Sequence, residues 1–331
     1  MFKAKLLEIE KAVDQLVVIQ GRIFYAMSSS DARYEEFVQD HGAYLNGVAK
    51  VYTVVQDAIN ACQDGDAVYV FSKDMAAGAT DPESWAETLT IAAGQSNLSL
   101  IGINTGRTQG GLPQIKKGSG STALLTVRAP GCLIKNVGFN GIDSTGGGIL
   151  LDDDASTKSA FGTTIKDCHF KNCVGTTATD ARTGGAIMWS ANGGAWQVLI
   201  KGNRFYKNVG DIVLLGTSVS VPQDVIIEDN IFSGPAASVD CNLYLAGGSG
   251  MNGVIVRNNE FPSVLPSLAS GSVVRYVVMT GCIGLFAGNR FGGSYTTAGF
   301  GAAAAKVAGV IPTTVGIAQN YSDAGLIVRE A

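Results

Sequence analysis

Several side chains that could do chemistry lie beside strand-like apolar runs of this sequence. They are Asp152, Asp153, Asp154, Asp180 and Asp211, accompanied by the cation Arg182. Carboxylates brought together in this way could hold calcium through several oxygen ligands, with Arg182 as an electrostatic stabiliser. The alternative, which we favour, is that they are turn residues exposed to water. We therefore predict no catalytic, metal-binding or cofactor-binding residue, and no cofactor.

One tight cluster combines cysteine with histidine, at Cys168, His169 and Cys173. No second pair lies near it, and the other histidine is His41, so the paired spacing of a zinc site is missing. We interpret the six cysteines as reduced core residues, because a thiol packs like a small, soft hydrophobic group.

Two tryptophans, Trp189 and Trp196, flank the glycine pair at positions 193 and 194. On the rim of a groove, their rings would favour saccharide binding. In the interior they would fill a bulge. The sequence leaves both alternatives open.

The composition argues against two classes of partner. The 331 residues include 43 glycines, only 16% are charged, and the formal net charge is −4. No run of Lys or Arg would follow a phosphate backbone, and no apolar stretch is long enough to span a membrane. The first residues, with Glu8, Glu10 and Lys11, do not have the form of a signal peptide. We expect synthesis in the cytoplasm, with neither nucleic acid nor membrane as a partner.

A repeat of about thirty residues runs through the chain. Each copy ends in a phenylalanine, and the equivalent residues are Phe139, Phe170, Phe205, Phe232, Phe261 and Phe291. A second apolar run of strand length, such as the one from Leu243 to Leu245, lies between successive copies. Each repeat therefore predicts one coil with at least two strands, and equivalent side chains of stacked coils should form ladders.

An asparagine column accompanies the phenylalanines, two residues before four of them and once more near the end of the chain. Its members are Asn203, Asn230, Asn259, Asn289 and Asn320, with Val137 and Cys168 in its place in earlier copies. Asparagine tolerates left-handed backbone angles and can hydrogen-bond to stacked neighbours. We expect it to form a repeated sharp corner between two strands.

The two columns together resemble the pectate-lyase-like superfamily. Without the form of a secretion signal and with a spare N-terminal segment, the chain is most similar within it to bacteriophage virion structural proteins of the tail or head surface. The resemblance covers roughly residues 50 to 321 and implies an all-β fold, a right-handed parallel β-helix. Apolar residues at helical spacing from Val54 to Cys62 predict a short helix that caps the open end of this solenoid.

We predict two domains, residues 1–49 and residues 50–331. The first contains a helix, a strand at residues 21–26 and an irregular polar connector at residues 27–49. Its apolar residues from Phe2 to Leu16 have the 4-3-4-3 spacing of a coiled coil. This segment is either a helix lying on its own β-helix or an element for docking and self-association. The second domain is the β-helix, including its N-terminal cap and a C-terminal closing segment.

Enzymes of the resembled superfamily cleave polysaccharides by metal-assisted β-elimination or by hydrolysis between two carboxylates. Because the aspartates above match neither pattern, we predict a non-enzymatic structural protein of a bacteriophage virion, either a capsid decoration protein or a tail protein. The expected partners are copies of the same chain, in a trimer as the resemblance implies, and other virion proteins. Two alternatives stay open, namely a tailspike-type protein that binds or depolymerises host surface polysaccharide, and a cellular β-helix lyase or hydrolase.

Overall fold

Short strands on three sheets wind around one axis in the computed structural model of this chain. It describes residues 21–42, 47–73, 83–103, 111–116, 123–141, 147–153, 159–174, 184–190, 196–216, 221–233, 241–246, 250–262, 275–291, 299–300, 309–322 and 325–329. The predicted N-terminal helix, together with Asp154, Asp180 and Arg182, lies outside these residues.

The first sheet consists of β1 (Ile23–Ala26), β2 (Val51–Tyr52), β3 (Ala67–Phe71), β6 (Ser99–Ile103), β9 (Leu133–Lys135), β12 (Thr164–Lys166), β15 (Leu199–Lys201), β18 (Ile226–Glu228), β21 (Met251–Arg257), β24 (Cys282–Ala287) and β28 (Val315–Ala318). The second consists of β4 (Ser84–Trp85), β7 (Gln114–Lys116), β10 (Gly138–Asn140), β13 (His169–Lys171), β16 (Arg204–Tyr206), β19 (Ile231–Ser233), β22 (Glu260–Phe261), β25 (Arg290–Phe291), β26 (Gly299–Phe300), β29 (Asn320–Ser322) and β30 (Gly325–Arg329). The third consists of β5 (Leu89–Ile91), β8 (Leu125–Val127), β11 (Ile149–Leu151), β14 (Ile187–Trp189), β17 (Ile212–Leu215), β20 (Cys241–Ala246), β23 (Arg275–Val278) and β27 (Gly309–Val310).

From β3 to β23, each coil contributes one strand to every sheet, as β9, β10 and β11 do in turn. Equivalent strands of successive coils pair in parallel, and the terminal hairpin of β29 and β30 is antiparallel. The predicted all-β parallel β-helix is therefore confirmed. One sequence motif supplies two of the three strands, because a sharp corner divides it between the first and second sheets.

The phenylalanine column lies in the interior, as predicted. Its six rings stack with centroids 4.7 to 5.1 Å apart and with planes within 15° of parallel. All six side chains are buried. Parallel in-register pairing of the second sheet forces this arrangement, because equivalent residues of neighbouring rungs lie directly above one another.

The asparagine column is also buried and hydrogen-bonded along its length. Asn230 Nδ2 donates to Asn259 Oδ1 at 3.0 Å and to the backbone oxygen of Ile200 at 3.0 Å. The same pattern recurs at Asn203, Asn259 and Asn289. The sequence-based assignment of left-handed angles to these asparagines is wrong. Positive φ belongs to the residue before each of them, such as Asp229 (φ 57°) and Asn258 (φ 55°).

In some coils the residue before the asparagine is a glycine, because a side chain at this left-handed position would collide with a side chain of the preceding coil. At Gly202 (φ 68°) a Cβ would lie 2.7 Å from the Asp167 carboxylate. The corner is thus a two-residue unit, in which one residue turns the backbone and the following asparagine ties the coils together.

The N-terminal region joins the first sheet, because β1 pairs in parallel with both β2 and β3. Helix α1 (Tyr34–His41) lies within the stretch predicted to be irregular, and its Phe37 ring meets Tyr25 at 5.0 Å and Phe71 at 5.2 Å. These tertiary contacts stabilise a helix whose local sequence signal is weak. The proposed boundary between residues 49 and 50 remains a prediction.

The predicted cap is present as α2 (Val55–Asn60), with Val55, Ala58 and Ile59 buried. The Glu87 carboxylate accepts hydrogen bonds from the first two backbone amides of this helix, at 3.0 and 2.9 Å. Among the described residues, the helices are too short or too polar to cross a lipid bilayer.

Candidate functional site

The outward face of the second sheet carries a cluster of polar side chains around β7, β10, β13 and β16. Because Phe139, Phe170 and Phe205 point into the core, the residues on either side of each ring point outward. We call this cluster the basic patch. Its members are Gln114, Gly138, Asn140, His169, Lys171, Arg204 and Tyr206, which form two in-register columns.

Burial sets the basic patch apart from an ordinary solvated sheet face. The exposed fraction is 2% for Gln114, 9% for Asn140, 7% for His169 and 6% for Lys171. Lysine is almost never buried to this extent unless its charge is compensated. The two neighbouring side chains on the next rung, Arg204 and Tyr206, are exposed and half-buried, respectively.

The register fixes the spacing within the basic patch. His169 pairs with Arg204, and Lys171 pairs with Tyr206, across neighbouring strands about 4.8 Å apart. Same-face neighbours along one strand are about 7 Å apart. On the previous rung, Gly138 lies in register between Gln114 and His169, and a Cβ there would approach Gln114 Cγ to 3.3 Å.

The side chains of the basic patch are of types that can transfer protons and bind anions. An imidazole changes charge near neutral pH, and a phenol can donate or accept a proton. Guanidinium and ammonium groups bind carboxylates. Such a set could neutralise an acidic substrate and move a proton on or off it.

The described members of the candidate carboxylate group, Asp152, Asp153 and Asp211, do not form one cluster in the structure. Asp152 lies after β11 and is paired with Arg128, with Nε at 2.9 Å from Oδ2. Asp153 forms an isolated antiparallel bridge to Ser159. Asp211 precedes β17, which places it about 13 Å from Asp152 along the strand direction.

Asp211 is itself unusual, since its carboxylate is buried between two amides. Asn208 Nδ2 donates to Oδ1 at 2.8 Å, and Asn242 Nδ2 donates to Oδ2 at 2.7 Å. Burial raises the pKa of Asp211 to about 7, although the two amide hydrogen bonds act in the opposite direction. Asn242 Oδ1 is buried without a hydrogen-bond partner.

The cluster of Cys168, His169 and Cys173 is divided between two sides of the sheet. The two cysteine side chains are buried and donate to backbone oxygens, Cys168 to Lys166 at 3.3 Å and Cys173 to Lys171 at 3.4 Å. His169 faces outward in the basic patch. In the described part of the chain, no three His, Cys, Asp or Glu side chains are placed to hold a metal ion.

The two tryptophans also have different environments. Trp189 is part of the buried core, and only Trp196 is exposed, with its Nε1 donating to the backbone oxygen of Val221 at 3.0 Å. They therefore do not form a paired aromatic platform.

Sequence reasoning missed most of the basic patch, although a signal was present. Charged or polar residues flank the ladder phenylalanine in two successive repeats, as His169 and Lys171 and then as Arg204 and Tyr206. Once the phenylalanine is placed inside, both neighbours must share the outer face.

Three solved structures illustrate what this chain is similar to. An open reading frame product of Geobacillus virus E2 is 14% identical, with 87% of this chain and 55% of that chain covered and a TM-score of 0.37. An alginate lyase from Paenibacillus sp. str. FPU-7 is 13% identical, with coverages of 93% and 98% and a TM-score of 0.45. The A-module of a mannuronan C-5 epimerase from Azotobacter vinelandii is 15% identical, with coverages of 86% and 77% and a TM-score of 0.38.

The likeness concerns the fold. This chain spans only about half the length of the viral protein. No protein-family model matches the sequence, and no curated protein matches it either.

One sequence-based expectation needs correction, namely that the chain is not an enzyme. Alginate lyases recur among the solved structures that share its fold, which contradicts that prediction. The physical reason for the error is that the thirty-residue repeat reflects only the stacking of the coils and carries no information on catalysis. Enzymes and non-enzymes with a β-helix need the same stacking, so the repeat could not exclude catalysis.

Proposed function

We propose that this chain binds an acidic polysaccharide on the basic patch and depolymerises it, in the manner of a tailspike-type protein. The observation that carries the proposal is the register of His169 and Lys171 against Arg204 and Tyr206 on the next rung, where Arg204 is exposed. Among the residues that the structure describes, the patch contains no carboxylate, whereas hydrolysis of a glycosidic bond canonically uses two. β-Elimination is therefore the reaction that these residues favour.

In this reaction the positive charge of Arg204 and Lys171 neutralises the carboxylate of a uronic acid, which acidifies its C5 proton. The imidazole of His169 takes that proton. The electron pair released at C5 forms a double bond to C4, and the bond from C4 to the glycosidic oxygen breaks. The phenol of Tyr206 donates a proton to the leaving oxygen, and exchange with water restores both groups.

The test uses purified full-length protein with alginate, polygalacturonate and neutral dextran. β-Elimination leaves an unsaturated uronate at each cut, which is followed by its ultraviolet absorbance. We expect product from an acidic polymer and none from dextran. His169→Gln should abolish product, while His41→Gln, at the only other histidine of the chain, should leave it unchanged.

A second pair of variants distinguishes anion binding by the basic patch from a general effect of removing one positive charge. Arg204→Gln should weaken activity strongly, whereas Arg290→Gln removes an exposed arginine from the same outward column and should have little effect. Binding of an acidic polymer without product would limit the function to recognition. Neither binding nor product with any polymer of the panel would contradict the proposal.

Attachment to a virion and assembly as a trimer remain predictions. They rest on the resemblance to bacteriophage proteins and on the flat sheet faces, which can pack around a symmetry axis. Deleting residues 1–20 and measuring the mass in solution and the incorporation into particles tests both. Normal assembly of the shortened chain would mean that this segment is dispensable.

A further inference from the structure

A column of lysines runs along the outward face of the first sheet, away from the basic patch. Lys135, Lys166 and Lys201 occupy the same register position on β9, β12 and β15. Neighbouring strands are about 4.8 Å apart, so three ammonium-bearing side chains start from directly stacked positions. Like charges in direct opposition across strands are destabilising. The arrangement therefore has an electrostatic cost.

The charges of this column are compensated at one end only. Lys201 Nζ lies 2.7 Å from Glu228 Oε1 and 3.3 Å from Asp229 Oδ2. Glu228 is further paired with Arg257 at 2.6 Å on the following rung. Neither Lys135 nor Lys166 has an ion-pair partner among the described residues, and both are half-buried rather than fully extended into solvent.

A second, largely aliphatic column runs beside the lysines, two residues earlier on each strand. It consists of Leu133, Thr164, Leu199, Ile226 and Ile255, in continuous register and each half-buried. Regular backbone pairing holds both columns rigid. From β9 to β15 the first sheet therefore presents a track in which three lysines lie beside an apolar strip.

We propose that this track binds a linear acidic polysaccharide, with its carboxylate or sulfate groups on Lys135 and Lys166 and its apolar sugar faces on the aliphatic column. Bound anions would relieve the repulsion between the stacked lysines. The track lies on a different sheet from the basic patch, and the inference does not depend on cleavage there.

The observations favour a polysaccharide over a nucleic acid. Proteins that bind single strands stack the bases on aromatic side chains, and the two columns from β9 to β15 contain no aromatic residue. Sugar rings instead offer apolar C–H faces, which suit leucine and isoleucine.

The test measures binding of long and short polygalacturonate fragments, and of a single-stranded DNA oligonucleotide, to full-length protein carrying His169→Gln so that no polymer is cut. We compare the double variant Lys135→Gln/Lys166→Gln with the control Lys50→Gln/Lys73→Gln, which removes two positive charges beside the aromatic rings of Tyr25 and Trp85. We expect the track variant to weaken binding of long fragments at least about tenfold and to reduce its salt dependence, with the control near the parent protein.

Thermal melts report whether each variant is folded, and the track variant should melt no lower than the parent because it loses a repulsion. Cleavage of short fragments by the double variant with His169 intact should equal that of the original chain. Equal losses of binding in the two double variants, or tighter binding of DNA than of polygalacturonate, would overturn the proposal. Failure of the cleavage reaction alone would contradict only the function proposed for the basic patch.

Discussion

Replacing Asp211 with asparagine should remove a pH dependence from the stability of this protein. The carboxyl is buried, and burial raises its pKa from an ordinary value of 3.8 to about 7. The folded state therefore holds a proton between these pH values that the unfolded chain has released. The stabilisation is fully present below about pH 4 and is lost as the pH rises through 7.

The size of the effect follows from the shift. Three pKa units correspond to about 4 kcal/mol of unfolding free energy, which the wild-type chain loses between pH 4 and pH 8. In Asp211→Asn the side-chain oxygen still accepts from Asn208 Nδ2. Its new amide can donate to Asn242 Oδ1, which lacks a partner in the wild-type chain, once the Asn242 amide turns over.

We therefore expect Asp211→Asn to be more stable than wild type by about 1 to 3 kcal/mol at pH 8 and to lose this advantage at pH 4. The measurement is urea unfolding of both proteins at several pH values across this range. Subtracting the two unfolding free energies at each pH removes the contribution of the other titrating groups, which both proteins share. The same difference at the acid end of the range, where the Asp211 carboxyl is protonated in the folded state, is the internal control. A stability difference for Asp211→Asn that does not change with pH would refute the reasoning.

Three further predictions concern the interior. Phe232→Ala should lower the unfolding free energy by about 3 to 5 kcal/mol, because rings on both sides at 4.8 Å hold the cavity open; a near-neutral denaturant melt would contradict the stacking. Asn230→Ala should lower the unfolding free energy by about 2 to 5 kcal/mol, because it leaves several buried hydrogen-bonding groups unpaired. The control Asn252→Ala, at an exposed site, should have a far smaller effect. Burial raises the pKa of Cys168 to about 12, so its thiol should resist labelling at pH 8 until the protein unfolds, and fast labelling of the native state would disprove this.

The phenylalanine and asparagine columns show which features of a solenoid can be predicted from its sequence. The phenylalanine recurs in each of the six motifs and the asparagine recurs from Asn203 onward, so the sequence predicts that both stack, and the structure confirms it. The location of the left-handed angle was not predictable to the residue. Both Asp229 and Asn230 tolerate it, and only the ladder hydrogen bonds decide that Asn230 stays in the column.

The carboxylates show the opposite case. Asp152 and Asp211 occur two repeats apart, and they lie at opposite ends of the strands of the third sheet. Their offset from the ladder phenylalanine differs because the connections between strands vary in length. A repeat with variable insertions therefore fixes which residues face the core and leaves open which loop residues meet.

The sequence by itself determined the parallel β-helix, its phenylalanine core and the helix that caps it, because each depends on the spacing of neighbouring residues. Tertiary structure alone decided that His169 and Lys171 are buried on their face, that two amides enclose Asp211, and that Asp152 and Asp211 lie apart. The physical reason is that burial and loop contacts depend on the connections between strands. The lengths of these connections vary from coil to coil, so the repeat does not determine which of their residues meet.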